Sequence, residues 1–183
     1  MDKLMQQLWG QFSCSRADDI ALLAVGGYGR AELHPHSDID LLILLRESRS
    51  AEKYRTELET FVTQLWDIGL EVGHSVRSID ECAELARDDI TIATNLMESR
   101  TLSGNPELGV QMQKATGPDK VWNVVDFFSA KWTEQIARHN KHNNTEYNLE
   151  PDIKNAPGGL RDIQTIGWVA KRYFNANRLS DLV

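Results

Sequence analysis

An α+β fold is predicted, an α/β half with a short mixed sheet followed by an all-helical half, and three observations predict it. Two apolar runs, Ile20–Val25 and Ile39–Leu45, have the length and composition of buried strands. A third run, Leu70–Arg77, reads "LEVGHSVR" and alternates as a half-buried strand does. From Ser78 onward the apolar spacing is helical almost to the end of the chain.

The elements follow in order. Asp2–Phe12 is helical in pattern, Ile20–Val25 is the first strand, and Gly26–Gly29 is the turn that leaves it. Ile39–Leu45 is the second strand. Ala51–Ile68 carries Leu58, Phe61, Val62 and Leu65 on one helical face and returns the chain for the third strand, Leu70–Arg77. Ser78 followed three residues later by Glu81 is a capping-box signal for the next helix. Further helices are expected over Asp89–Arg100, Pro106–Ala115 and Asp119–His142, then a loop from Asn143 to Gly158, then a last helix over Gly159–Tyr173. The expected division is residues 1–100 as the catalytic α/β domain and 101–183 as a helical domain.

Composition sets limits on function. The 183 residues are 41% hydrophobic and 26% charged, enough apolar content for a buried core. A net charge of −7 argues against a bulk electrostatic grip on nucleic acid or an anionic membrane, and no run is long enough to span a bilayer. Cys14 and Cys82 show no ligand spacing, so neither a disulfide framework nor a zinc site is expected, and the default compartment is the cytosol. The polar-interrupted start, without a basic segment or cleavage site, is not expected to be an export signal.

The chemistry concentrates in "LLAVGGYGRAELHPHSDIDLLILL", Leu22–Leu45. Asp38 and Asp40 flank Ile39 at the mouth of a core strand, so both point to one face while Ile39 points to the other. Two like charges so placed repel unless a cation lies between them, and paired carboxylates suit a hard divalent ion such as Mg²⁺. The strand-ending glycines Gly26 and Gly27 let backbone N–H groups approach phosphate oxygens, because no Cβ stands in the way. Glu71, between Leu70 and Val72, is the candidate third carboxylate, with Asp67 its competitor. Asp38, Asp40 and Glu71 together would suit an in-line displacement at phosphorus assisted by divalent ions.

The pairing of glycines with Asp-x-Asp resembles the DNA polymerase beta-like nucleotidyltransferases. More closely, "AVGGYGRAELHPHSDIDLLIL", "WDIGLEVGHSVRS", "TIATNLMESR" and "NLEPDIKNAPGGLRDIQ" are similar to the amino-terminal catalytic domain of the bacterial PII uridylyltransferase/uridylyl-removing enzymes. The resemblance runs from about Asp18 to Tyr173. It implies the nucleotidyltransferase fold, Mg²⁺ as cofactor, and transfer of UMP from UTP to a tyrosine of the PII signalling protein with release of pyrophosphate. Family members also carry a phosphohydrolase domain and two ACT domains, which do not fit in this length, so an excised domain or a truncated relative is expected. An ATP-using variant, like the adenylyltransferase of glutamine synthetase, shares the glycine, Asp-x-Asp and "GPGGLRDI"-like motifs.

Each residue also has a plainer reading. Arg30 either reaches the triphosphate or forms a surface ion pair with Glu32 or Asp38. His34, His36 and His74 match a hard ion poorly and are not assigned to it. Tyr28 either stacks on a base or packs against the turn. Asn95 and Glu98 are expected as a surface pair on one helix that also carries Arg100. Trp122, Phe127, Phe128 and Trp132 are expected as helical core. In "EPDIKNAPGGLRDIQ", Lys154 and Arg161 either contact the triphosphate or the acceptor, or the loop docks the two halves with Arg161 and Asp162 as a buried ion pair. The alternative to an enzyme is a non-catalytic nucleotide-binding or protein-docking module, against which the retained carboxylates argue.

Overall fold

The computed structural model describes residues 1–33, 37–141 and 152–175 and divides into two compact units, Met1–Thr116 and Gly117–Val183. The first unit is α+β. Its secondary structure runs α1 (Asp2–Trp9), β1 (Ile20–Ala24), α2 (Gly26–Gly29), β2 (Ile39–Leu45), α3 (Ser50–Asp67), β3 (Val72–Ser78), α4 (Ile79–Asp88), α5 (Ile90–Met97), β4 (Arg100–Gly104) and α6 (Pro106–Ala115). The strands form one mixed sheet in the order β3-β2-β1-β4, with β1 antiparallel to both neighbours and β3 parallel to β2. All five residues of β1 are buried, which explains why the strand is apolar without alternation.

Period-two alternation then assigns the faces. Ile20, Leu22, Ala24, Ile39, Leu41, Ile43 and Leu45 share one core with Met5 and Trp9 of α1 and Tyr54, Leu58, Phe61 and Leu65 of α3. Trp9 and Phe61 meet edge to face at 5.0 Å. On the opposite face Gly109 of α6 lies against Leu23. The Ser78 capping box forms as expected: Glu81 N–H donates to Ser78 Oγ at 3.2 Å, and Ser78 N–H donates to the Glu81 carboxylate at 2.6 Å.

Two expectations are corrected here. The helix expected over Asp89–Arg100 ends at Met97, and Arg100–Gly104 is a strand paired with β1. Leu102 is the only buried side chain of that strand, so the pairing with β1 holds it rather than any pattern of its own. The strand and α6 both pack with β1 and belong to the first compact unit, which runs to Thr116. Gly26–Gly29, read as a turn, is wound into one helical turn.

The described part of the second unit contains only helix, α7 (Val124–Lys141) and α8 (Leu160–Phe174). Phe127 is buried as expected, but Phe128 and Trp132 are about half exposed and stack at 6.3 Å along a groove against α8. They lie one helical turn apart, on a stripe of α7 different from the buried Phe127 and Lys131. The buried Arg172 donates to the Trp122 carbonyl at 2.9 Å, and desolvation lowers its pKa to about 10.

Among the glycines of the first unit the closest approach is at Gly29, where an added Cβ would stand 1.7 Å from the Glu98 carbonyl oxygen. Gly29→Ala is therefore expected to cost at least about 1–3 kcal/mol, the usual range for overpacking. A lowered urea midpoint with an unchanged slope would report it.

Candidate active site

The cleft forms where β1 and β2 meet α2. Val25 N–H donates to the Asp40 carbonyl at 3.0 Å, tying the end of β1 to the start of β2. Gly26 then turns with φ +57°, a conformation that favours glycine. A Cβ at Gly26 would lie 3.2 Å from Asp40 Oδ2, and one at Gly73 would lie 2.7 Å from Asp40 Oδ1. The Asp40 carboxylate is thus seated between two glycines, one from α2 and one from β3. The N–H groups of Gly26, Gly27 and Tyr28, in the first turn of α2, have no acceptor inside that helix.

The register decides which other carboxylates share this face. Ile39 pairs with Val72 and Asp40 with Gly73, and the Ile39 N–H donates to the Glu71 carbonyl at 3.1 Å. Asp38 and Glu71 are the residues just before these two paired strands, and Asp40 lies on the cleft side of β2 while Ile39 is buried on the other. Asp38 and Glu71 are exposed and Asp40 is half-buried. Among the described residues no three His, Cys, Asp or Glu side chains converge as a metal cluster. Asp67 closes α3 and is exposed.

Arg30 forms the ion pair with Glu32, at 2.7 Å, and also lies 3.6 Å from the buried Glu98 carboxylate. Its guanidinium faces Gly27. Glu98 is therefore not a partner of Asn95 on a helix surface: α5 stops before it, and its side chain is buried. Asn95 instead faces the cleft, its Oδ1 3.7 Å from a Cβ placed on Gly26. Arg100 reaches across to α1 and grips Asp2 with two nitrogens, at 2.6 and 3.2 Å. Tyr28 packs in the core, 2% exposed. His74 is exposed, its ring edge-on to Trp66 at 5.7 Å, and His34 and His36 lie outside the described residues.

A cleft of about 250 Å³ runs from Asp40 along β3, lined by Gly73, Ser75, Arg77, Asn95 and Leu96 among others. Sequence reasoning missed Gly73, Arg77 and Asn95 as cleft residues. A glycine inside a strand pattern marks a close approach and was the available signal for Gly73.

Lys154 and Arg161 belong to the second unit. Lys154 is exposed, and Arg161 lies over the Trp168 ring at 5.3 Å. Asp162 takes Arg138 at 2.6 Å and His139 at 3.0 Å as partners and accepts from Gly158 N–H at 2.8 Å. The buried ion pair expected at this loop is therefore built on Arg138. Burial alone would raise the Asp162 carboxyl, but the hydrogen bonds from Arg138, Gly158 and His139 outweigh it and hold the pKa below the ordinary 3.8. Cys14 and Cys82 are buried, and desolvation pushes both thiols up to about 12.

A glycine turn, paired aspartates at a strand mouth and a mixed sheet define a nucleotidyl-transfer domain, and the chain belongs to the nucleotidyltransferase domain family, whose model matches residues 5–96. The family described as GlnD PII-uridylyltransferase matches residues 126–183. A bifunctional uridylyltransferase/uridylyl-removing enzyme of Pseudomonas fluorescens is 59% identical over 182 residues. Proteins of the same name from Pseudomonas putida and Ectopseudomonas mendocina are each 58% identical, over 182 and 183 residues. Each match takes in 100% of this chain but 20% of the relative, so the chain spans about a fifth of the length of these relatives.

Two outcomes are expected. Gly73→Ala forces the Asp40 carboxylate to move but strains no backbone, so nucleotidyl transfer should fall at least about tenfold, about 1.4 kcal/mol of barrier, with the urea midpoint retained. A parental rate would separate the seat of Asp40 from the chemistry. Asp162→Asn should destabilise the second unit by about 1.5–3 kcal/mol at neutral pH. Because the folded pKa of Asp162 is depressed, this contribution is present above pH 3.8 and is lost as pH falls through the folded value. Melts of parent and variant should therefore converge in acid.

Proposed function

We propose that the chain transfers UMP from UTP to a tyrosine hydroxyl of the PII signalling protein, releasing pyrophosphate. The observation that carries this reading is the Asp40 carboxylate seated between Gly26 and Gly73, at the end of the sheet where Asp38 and Glu71 lead into β2 and β3. The tyrosine oxygen attacks the α-phosphorus of UTP, the bond from that phosphorus to the α,β-bridging oxygen breaks, and pyrophosphate leaves. Glu71 receives the hydroxyl proton, since a tyrosine with a reference pKa of about 10 is mostly protonated at neutral pH.

Asp38, Asp40 and Glu71 are the residues that would hold Mg²⁺, which would supply charge neutralisation at the triphosphate. The first-turn N–H groups of Gly26 and Gly27 would receive phosphate oxygens, with Arg30 beside them. The names of the relatives and of the family matched at residues 126–183 support the nucleotide and acceptor. Among the described residues no helix is long and apolar enough to cross a membrane. Two free cysteines suit a reducing cytoplasm, where the reading places the protein.

Mass spectrometry of a PII protein after incubation with this chain, Mg²⁺ and equimolar UTP and ATP tests the reading, because the added mass names the nucleotide. UMP on tyrosine is expected; AMP would transfer the assignment to the adenylyltransferase type, and no adduct would favour a non-catalytic module. Asp38→Asn and Asp40→Asn should each lower transfer by several orders of magnitude while melting in EDTA at or above the parental temperature. Retention of more than about a tenth of the rate, a barrier change under about 1.4 kcal/mol, would sink the assignment. Glu71→Gln should lower turnover more than UTP affinity, and an Asp67→Asn defect in its place would move the base to Asp67.

A further inference from the structure

We propose that the open edge of β3 is the docking line for the acceptor, which adds an extended segment to the sheet as a further strand and so delivers its hydroxyl to Asp40. The inference rests on transfer to a protein hydroxyl, as proposed above.

The sheet order leaves β3 at one end, with no strand beyond it among the described residues. Its pairing with β2 is unbroken from Ile39–Val72 to Leu45–Ser78, whereas the strand at the other end, β4, pairs with β1 through an irregularity at Leu22–Leu23. Proteins commonly defend an open edge with proline, charged side chains or a bulge. Val72–Ser78, "VGHSVRS", has neither proline nor bulge, and its one arginine, Arg77, lines the cleft. The Glu71 carbonyl accepts from Ile39, and in a parallel pair alternate residues address the same neighbour. Val72, His74 and Val76 therefore turn their N–H and C=O groups to the open side.

The two faces of this edge are different, and the difference suits an acceptor strand. On one face Gly73 lies beside Asp40 in the cleft. On the other, a notch of about 220 Å³ opens between α3 and β3, lined mostly by apolar side chains, Leu58, Val62, Trp66 and Val76, with Glu59, Thr63 and His74. Trp66 is 54% exposed. His74 borders both the notch and the cleft. A strand laid along β3 sits about 4.8 Å away and alternates its side chains between the faces. A tyrosine opposite Gly73 then enters the cleft beside Asp40, and its immediate neighbours fall into the apolar notch. Backbone pairing supplies affinity, and the notch selects apolar residues beside the tyrosine.

The test is amide hydrogen exchange of the chain with and without PII protein, in the absence of nucleotide, together with steady-state kinetics of two variants. Protection should appear at the His74 and Val76 amides when the acceptor is added. Trp66→Ala and Val76→Lys should each raise the KM for the acceptor roughly tenfold or more, as loss of an interface anchor does, with the KM for UTP and the melting temperature unchanged. A parent that modifies the acceptor while these amides stay unprotected overturns the docking alone, as does an unchanged acceptor KM in both variants. Amides already protected in the free chain, with a dimer in sedimentation, would assign the edge to a second copy and overturn it too. A parent that binds UTP yet neither binds nor modifies the PII protein overturns the uridylylation reading and the docking together.

Discussion

The site depends on one close approach of backbone to backbone, that of α2 to the segment that follows α5. With a hydrogen at position 29 the helical turn can press on the Glu98 carbonyl, where any other residue would hold it off. Arg100 then reinforces the contact, its guanidinium donating to the Tyr28 and Gly29 carbonyls, both at 3.3 Å, while gripping Asp2 of α1. The same arginine thus satisfies carbonyls at the end of the turn and fixes the first helix over the sheet. Gly26 is placed by these contacts, and through Gly26 so is one wall of the Asp40 seat.

Electrostatics in the first unit follow from that geometry. Asp38, Asp40 and Glu71 lie at the starts of two paired strands in a chain of net charge −7, so this end of the sheet is rich in negative charge. The positive groups stand around it. Arg30 is held by Glu98 from inside and Glu32 from outside, and of the two the buried partner constrains it more, because the exposed pair with Glu32 is screened by solvent. Arg77 lies farther along the cleft, two strand alternations beyond Gly73.

How much of this was legible in the sequence depended on whether the determining contact was local. Ile39 and Asp40 reveal their faces because strand alternation is local, and Ser78 with Glu81 reveals a helix start because a capping box closes within one turn. The strand β4 was hidden because it carries little apolar signal and exists through pairing with β1. Asn95 and Glu98 were misread because a helix extended by three residues would have put them on one surface, whereas the chain leaves the helix at Met97 and buries Glu98. Asp162 was expected to pair with Arg161, whereas it meets Arg138 in a half-buried pair, and since Arg138 comes from a different helix no local rule could supply it. The exposure of Phe128 and Trp132 was beyond periodicity for the same reason: the stripe that faces α8 is set by where that helix packs.

The parallel pairing of β3 with β2 links the carboxylates to the surface. A parallel neighbour needs a crossover, and α3 provides it, returning the chain beneath the sheet to start β3 beside the start of β2. Gly73 is thereby brought next to Asp40, and α3 is left alongside the outer edge with Trp66 near its end. Had a hairpin joined the two strands, β3 would run the other way and its first residues would lie beside the end of β2, far from the aspartates. One topological choice therefore gives the carboxylate its second glycine wall and sets an open strand edge one residue width from the chemistry.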